Sequence, residues 1–170
     1  MSKKLSVRQR LRKRLTEGGM IVAPGIYDAY GARLVQKAGY EAVYMTGNGV
    51  SASLLGQPDV GMIDLSLFAA HAHRAAACVD IPLICDADTG YGNPLNTMRT
   101  VDLWQQAGAA GLFLEDQVWP KRCGHMAGKQ VIDRGDWLAK LRSVLDHRTH
   151  TFVTARTDAR APLGLDEAID

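Results

Sequence analysis

The stretch IPLICDAD, residues 81–88, is an apolar run that ends in two carboxylates. A strand with one face in water alternates apolar and polar residues. A continuous apolar run reads instead as a strand buried on both faces. The same pattern recurs in AGLFLED at 110–116, which ends in Glu115 and Asp116, and in FVTARTD at 152–158, which ends with Arg156 and Asp158. Two further apolar runs, MIVAPG at 20–25 and AVYMTG at 42–47, read as strands. Helical segments are expected after the strands, at 28–38, 64–79, 95–107 and 134–148, and a fifth begins at Leu165. Strand–helix alternation at this interval predicts parallel βαβ units.

Two architectures fit: an open doubly wound sheet, or the first five units of a (β/α)8 TIM barrel. A doubly wound sheet places a G-x-G-x-x-G turn after its first strand. Here Pro24-Gly25-Ile26-Tyr27-Asp28 stands instead. Charged groups at three strand ends converge on one site only if the strands close around it, as in a barrel. The expectation is α/β, a TIM barrel of which this chain carries about five βα units, with residues 1–170 as one domain.

The chain has 170 residues, 46% hydrophobic and 22% charged, a globular composition long enough for one core. Formal net charge is +2, unevenly placed. Lys3, Lys4, Arg8, Arg10, Arg12, Lys13 and Arg14 all precede the first acid. Val7, Leu11 and Leu15 recur every four residues, so this segment reads as an amphipathic helix whose basic face needs only water, not as a nucleic-acid arm. No run approaches the ~18 apolar residues of a membrane span. An odd set of three cysteines without a leader sequence points to a reducing cytoplasm. Cys78 and Cys85 lie in apolar segments and read as small core residues.

Asp86 and Asp88 fall on one side of an extended strand end. Close carboxylates repel one another unless a cation sits among them. All-oxygen donors suit Mg2+ or Mn2+, with Glu115 on the next strand completing the set. The alternative for Asp88 is a cap on the Thr89–Gly92 turn. Thr46-Gly47-Asn48-Gly49 is either an anion-approaching glycine loop or an ordinary βα loop. Asp59 is a turn residue or a further acid facing the cation. Cys123 lies among Lys121, Arg122 and His125, cations that lower a thiol's pKa toward the range for proton transfer. Gly124 and Gly128 give that segment hinges, so 121–129 reads as a mobile gate.

Four motifs together carry a resemblance: Asp86-Ala87-Asp88-Thr89-Gly90-Tyr91-Gly92, Glu115-Asp116-Gln117, Pro120-Lys121-Arg122-Cys123-Gly124-His125 and Ala155-Arg156-Thr157-Asp158-Ala159, with Pro24-Gly25-x-x-Asp28-Ala29 before them. The sequence resembles the phosphoenolpyruvate mutase/isocitrate lyase superfamily from about Leu11 to its end. The Lys-Arg-Cys-Gly-His motif is similar to the carbon–carbon lyase branch, and Gly128–Ile132 to its 2-alkylmalate (2,3-dimethylmalate) and 2-methylisocitrate lyases.

The resemblance implies a Mg2+-dependent lyase that cleaves a 2-hydroxy di- or tricarboxylate to a 2-oxo acid and a carboxylic acid. Asp86 would bind the ion directly, and Asp59, Asp88 and Glu115 would hold its waters or complete its shell. Thr46, Gly47 and Asn48 would bind the oxo-acid carboxylate, and Arg156 its oxygens. Cys123 would be the general acid, supported by Gly124 and His125, with Lys121 beside it; Asp59, through water, is a candidate base. Members of the family commonly carry Ser where Thr46 stands, at a position that touches substrate. The resemblance also implies a cytoplasmic homotetramer acting on a small molecule, and a chain longer than this one by three strands and a helix exchanged between subunits. Two alternatives stand beside the lyase: an oxaloacetate hydrolase, decarboxylase or carboxyphosphonoenolpyruvate phosphonomutase-like enzyme on the same scaffold, or a non-catalytic fragment whose open edges promote association.

Overall fold

The computed structural model describes residues 5–170, so Lys3 and Lys4 of the basic run lie outside the described residues. Five parallel strands, β1 Gly25–Ile26, β2 Val43–Met45, β3 Leu83–Asp86, β4 Gly111–Glu115 and β5 Phe152–Arg156, form one sheet in the order β1-β2-β3-β4-β5. A doubly wound sheet reverses its strand order part-way across; this one winds in a single direction, as a barrel wall does. Cross-strand register pairs Met45 with Cys85, Asp86 with Phe113 and Glu115 with Arg156.

Alternation along the strands sorts the side chains. Val43, Met45, Leu83, Cys85, Leu112 and Leu114 are buried against helices α2 Ala29–Lys37, α4 Leu65–Ala77, α5 Pro94–Ala107 and α6 Arg134–His147, around an edge-to-face Phe68–Trp104 pair at 5.0 Å. Tyr44, Ile84, Phe113 and Thr154 line the opposite face, which forms a trough of about 430 Å³ with Leu11 and Leu15. One register step further along, with period 2, that same face carries Asp86, Glu115 and Arg156 at its C-terminal edge. Of the charges expected at the strand ends, Asp86, Glu115 and Arg156 therefore share one face.

Three expectations are corrected. The first strand is not 20–25: Met20 and Val22 are exposed, and pairing starts at Gly25. Pro24 has no N–H to donate to a ladder, although its carbonyl accepts from Tyr44 at 3.0 Å. Second, residues 46–49 are not a loop. Thr46 is the N-cap of helix α3, Gly47–Leu55, and its hydroxyl accepts from the Gly49 amide at 3.3 Å. Third, the basic face of α1, Val7–Thr16, is not left to water. Arg8 donates to the carbonyls of Ala109, at 2.9 Å, and of Gln105; Arg10 donates to the carbonyl of Asp80; Arg14 pairs with Glu41 at 2.9 Å. Arg8 and Arg10 thus tie α1 to backbone carbonyls at the end of α5 and in the loop before β3. Helices α2, α4, α5 and α6 lie within two residues of their expected bounds, and α7, Leu165–Ile169, starts where expected. Among the described residues, no helix is long and apolar enough to cross a membrane.

Candidate active site

The site is built at the C-terminal edge of β3, β4 and β5. Asp86 ends β3, and its Oδ1 accepts the Asp88 amide at 3.0 Å. The turn is therefore capped by Asp86, not by Asp88. Asp88 sits in the left-handed region at φ +48° and is 3% exposed. Its carbonyl accepts the Glu115 amide at 2.9 Å, and its Oδ2 accepts the Tyr91 hydroxyl at 2.9 Å. The N-terminus of α3 points at the same spot. The Gly47 amide lies 3.3 Å from Asp86 Oδ2, and a Cβ on Gly47 would fall 3.0 Å from that oxygen. Only glycine lets the helix end approach the acid this closely.

Lys121 supplies the cation at the centre. Its Nζ donates to Asp59 Oδ2 at 2.6 Å and lies 2.6 Å from Asp88 Oδ1, with 3% of the side chain exposed. Burial alone pulls its ammonium toward losing its proton. Asp88, Asp86 and Asp59 outweigh that and hold its pKa above the ordinary lysine value. Asp86 is pushed up, by burial first and then by Asp88, against the pull of Lys121. Glu115 pairs with Arg156 at 3.2 Å. Burial, only partly offset by Arg156, pushes its carboxyl up to about 8.

The expected metal set is thereby divided. Asp88 faces Lys121 and Glu115 faces Arg156; among the described residues no three Asp, Glu, His or Cys side chains converge as a ready-made cage. The chemistry of the donors nevertheless fits a hard divalent cation. Glu115 Oε1 is a buried oxygen without a hydrogen bond, while Asp88 Oδ1 faces only the Lys121 ammonium, and one direct carboxylate plus retained waters is how Mg2+ commonly binds. Asp86 would be that carboxylate, with Asp88 and Glu115 toward the waters.

The thiol loop is docked, not free. Gln117 pairs with Val131 in an antiparallel bridge, and the Val118 amide donates to Gln130 at 2.9 Å. Buried Gln117 exchanges two 3.0 Å hydrogen bonds with the Arg122 backbone and donates to Asp158 at 3.0 Å. Lys129 reaches Asp158 at 2.8 Å, and Arg156 reaches the same carboxylate at 2.9 Å. The expectation that nothing orders this loop until an anion arrives is corrected: Lys121 and Lys129 find acids within the chain, and the structure describes the loop docked over the site. Cys123 Sγ stands 3.9 Å from Asn48 Oδ1, and a Cβ on Gly124 would meet Arg156 Nη2 at 2.8 Å. This brings Cys123, Gly124, Asn48 and Arg156 together above the acidic cluster. His125 is not brought in: it is exposed and, among the described residues, makes no hydrogen bond. Cys85 is buried in the core as expected, and Cys78 is half-buried behind α4.

Sequence reasoning missed four contributors: Gln117, Lys129, Tyr91, and Lys140 of α6, whose buried ammonium donates to the Thr89 carbonyl at 3.1 Å. The signal for Tyr91 was its place in a glycine-flanked turn. Nothing local distinguishes Lys140.

A parallel βα wall that gathers four acids, an arginine, a helix N-terminus and a loop thiol at its strand ends defines half of a TIM-barrel active-site face. The model of the phosphoenolpyruvate phosphomutase family matches residues 11–170, and the chain belongs to that family. It is 44% identical over 163 residues to 2,3-dimethylmalate lyase of Eubacterium barkeri, covering 95% of this chain and 56% of that protein. It is 47% identical over 169 residues to the chloroplastic carboxyvinyl-carboxyphosphonate phosphorylmutase of Arabidopsis thaliana, covering 96% of this chain and 50% of that protein. Among solved structures, 2,3-dimethylmalate lyase superposes with a TM-score of 0.94 at 38% identity, over 98% of this chain and 57% of that one. Oxaloacetate acetylhydrolase bound to 3,3-difluorooxalacetate superposes at 0.93 and 40% identity, over 96% and 58%. Phosphonopyruvate hydrolase with oxalate and Mg2+ superposes at 0.88 and 29% identity, over 97% and 57%. The chain spans about half the length of the curated relatives it matches.

Proposed function

We propose that this chain carries the catalytic strand ends of a carbon–carbon lyase that cleaves a 2-hydroxy di- or tricarboxylate, of the 2-alkylmalate or 2-methylisocitrate type, to a 2-oxo acid and a carboxylic acid. The observation that carries this reading is the thiol of Cys123, folded to within 3.9 Å of Asn48 above Asp86, Asp88 and Arg156. Breaking a bond to C3 leaves an electron pair there that must be protonated, in hydrolysis of an oxo acid as in lyase cleavage; the thiol therefore supports carbon–carbon cleavage, and the substrate is decided by the test below.

Mg2+, or Mn2+ in its place, would sit at Asp86 and acidify the 2-hydroxyl of the substrate. Arg156 and the amides of Gly47 and Asn48, at the N-terminus of α3, bind the carboxylate of the oxo-acid half. Thr46, as the N-cap, fixes those amides. Asp59 takes the hydroxyl proton, through water. The C2–C3 bond then breaks, and its electron pair stays on C3 beside the second carboxylate. Cys123 delivers the Sγ proton to that carbon before it can re-add. Lys121 keeps Asp59 and Asp88 from repelling one another while the loop is docked. We place the enzyme in the cytoplasm on the strength of its three free cysteines, and as a homo-oligomer, a tetramer as in the family.

The test is release of 2-oxo acid with Mg2+ from 2,3-dimethylmalate, 2-methylisocitrate and oxaloacetate. Release from a 2-hydroxy acid supports the lyase. Turnover of oxaloacetate alone replaces it with the hydrolase or decarboxylase, a reading favoured by the 40% identity to oxaloacetate acetylhydrolase. No release from any of the three leaves the phosphonomutase-like enzyme, a reading favoured by the 47% identity to carboxyvinyl-carboxyphosphonate phosphorylmutase, or the non-catalytic fragment.

A further inference from the structure

Trp119 stands at the root of the cysteine loop, and neither the acids nor the thiol give a reason for it. It is 43% exposed, yet it is boxed in. The Tyr91 ring lies 5.8 Å away, tilted by 50°, and a Cβ built on Gly61 would fall 2.8 Å from the indole. Gly61, Tyr91 and Trp119 come from three different loops: those after α3, β3 and β4. Each lies two or three residues from one member of the buried bridge, Asp59, Asp88 and Lys121. Tyr91 adds a direct tie through its hydroxyl to Asp88. Asp88 and Tyr91 are, among the described residues, the two non-glycine positions with positive φ, at 48° and 59°. Such backbone persists only where its surroundings fix it.

A lysine side chain is long and flexible, so placing its ammonium within 2.6 Å of two acids needs a fixed root. The indole supplies one, two residues upstream, against a glycine that leaves it room. We propose that Trp119 is a positioning residue: wedged between Gly61 and Tyr91, it sets Lys121 between Asp59 and Asp88 and holds loop 121–129 closed over the site. The purpose of closure rests on the lyase reading; closure itself is measurable without turnover.

The experiment is limited trypsin cleavage at Arg122, which is exposed within the loop, together with the rate of Cys123 modification by a disulfide reagent. Parent, Trp119→Ala and Trp119→Phe are compared. An aromatic contact of this kind shifts an open–closed equilibrium by about tenfold. In Trp119→Ala both rates are therefore expected to rise by about that factor, while cleavage at Arg142 on α6 stays at the parent rate. Trp119→Phe, which keeps a ring against Tyr91, is expected to remain near the parent. Unchanged rates in Trp119→Ala overturn the proposal. So does an equal rise at Arg142, which would show general loosening, or a Phe variant no better than Ala. A parent that cleaves no 2-hydroxy acid overturns the proposed reaction and leaves these rates untouched.

Discussion

Replacing Lys121 with Met isolates what the central ammonium does. Methionine keeps most of the buried stem and removes the charge. In the parent, Nζ lies 2.6 Å from both Asp59 and Asp88, whose side chains are 11% and 4% exposed. Solvent therefore screens little of the interaction. Removing one partner of a buried pair leaves uncompensated charge and costs about 3–5 kcal/mol. In a domain of this size each kcal/mol moves Tm by roughly 2–4 °C, so the variant is expected to melt about 6–20 °C below the parent. Mg2+ separates this from a packing defect. In the parent the ion enters a cluster that Lys121 already neutralises, and in Lys121→Met it does not. Free Mg2+ at about 100 times its Kd adds about 2.7 kcal/mol, so the variant should regain much of its loss and show the larger Mg2+-induced shift. Thermal melts followed by circular dichroism, with and without Mg2+, measure both quantities. A variant that melts within about 2 °C of the parent refutes the claim that Lys121 is the cluster's counterion. A Mg2+ shift no larger than the parent's refutes the claim that ammonium and divalent ion serve the same acids.

Asp86→Asn removes the charge that offsets dehydration of the ion, so calorimetry should find Mg2+ affinity lowered by at least about tenfold, and unchanged affinity would remove Asp86 as the ligand. Cys123→Ser keeps the shape but not the acidity; kcat for lyase turnover is expected to fall by about 10²–10⁴-fold while binding of pyruvate survives, and turnover at the parent rate would show that the proton comes from elsewhere. Burial opposes ionisation of Asp158, but hydrogen bonding from Lys129 and the charge of Arg156 outweigh it and hold its carboxyl below the ordinary value. With a folded pKa below the unfolded one, its contribution is present above the ordinary aspartate range near 4 and is lost as pH falls through the folded value. Asp158→Asn should therefore lower stability at pH 6 and flatten the acid limb of a Tm–pH profile, and an acid limb as steep as the parent's would contradict that.

The strand ends were legible because each apolar run stops at a charge; period 2 fixes faces only within a strand, and it is the register that carries Asp86, Glu115 and Arg156 onto one face. Helix α3 was not legible, because Gly47 and Gly49 are poor helix residues and read as turn chemistry. Gly47 is there because its amide comes up to Asp86, and Gly49 because a Cβ would fall 3.0 Å from Thr46 Cγ2 and 3.1 Å from Tyr27 Cβ. The arginines of α1 read as a solvated face because their partners, the carbonyls of Gln105, Ala109 and Asp80, lie some 70 to 101 residues away. His125 read as part of the site from adjacency to Cys123, but a loop tip turns neighbouring side chains in different directions. Hardest to read was the pairing of charges. Lys121, Arg122, Lys129 and Arg156 were equal candidates in one dimension, and burial sorted them: Lys121 to Asp59 and Asp88, Arg156 to Glu115 and Asp158, Lys129 to Asp158, with Arg122 left exposed. That sorting has a consequence for the metal. Asp59, Asp86, Asp88 and Glu115 stand around the site with Lys121 and Arg156 as their cations, so full ionisation leaves two negative charges without a partner. The protein relieves part of this by pushing Asp86 and Glu115 toward protonation. A divalent cation would relieve all of it, and would do so at the position where the substrate's hydroxyl proton has to be made acidic.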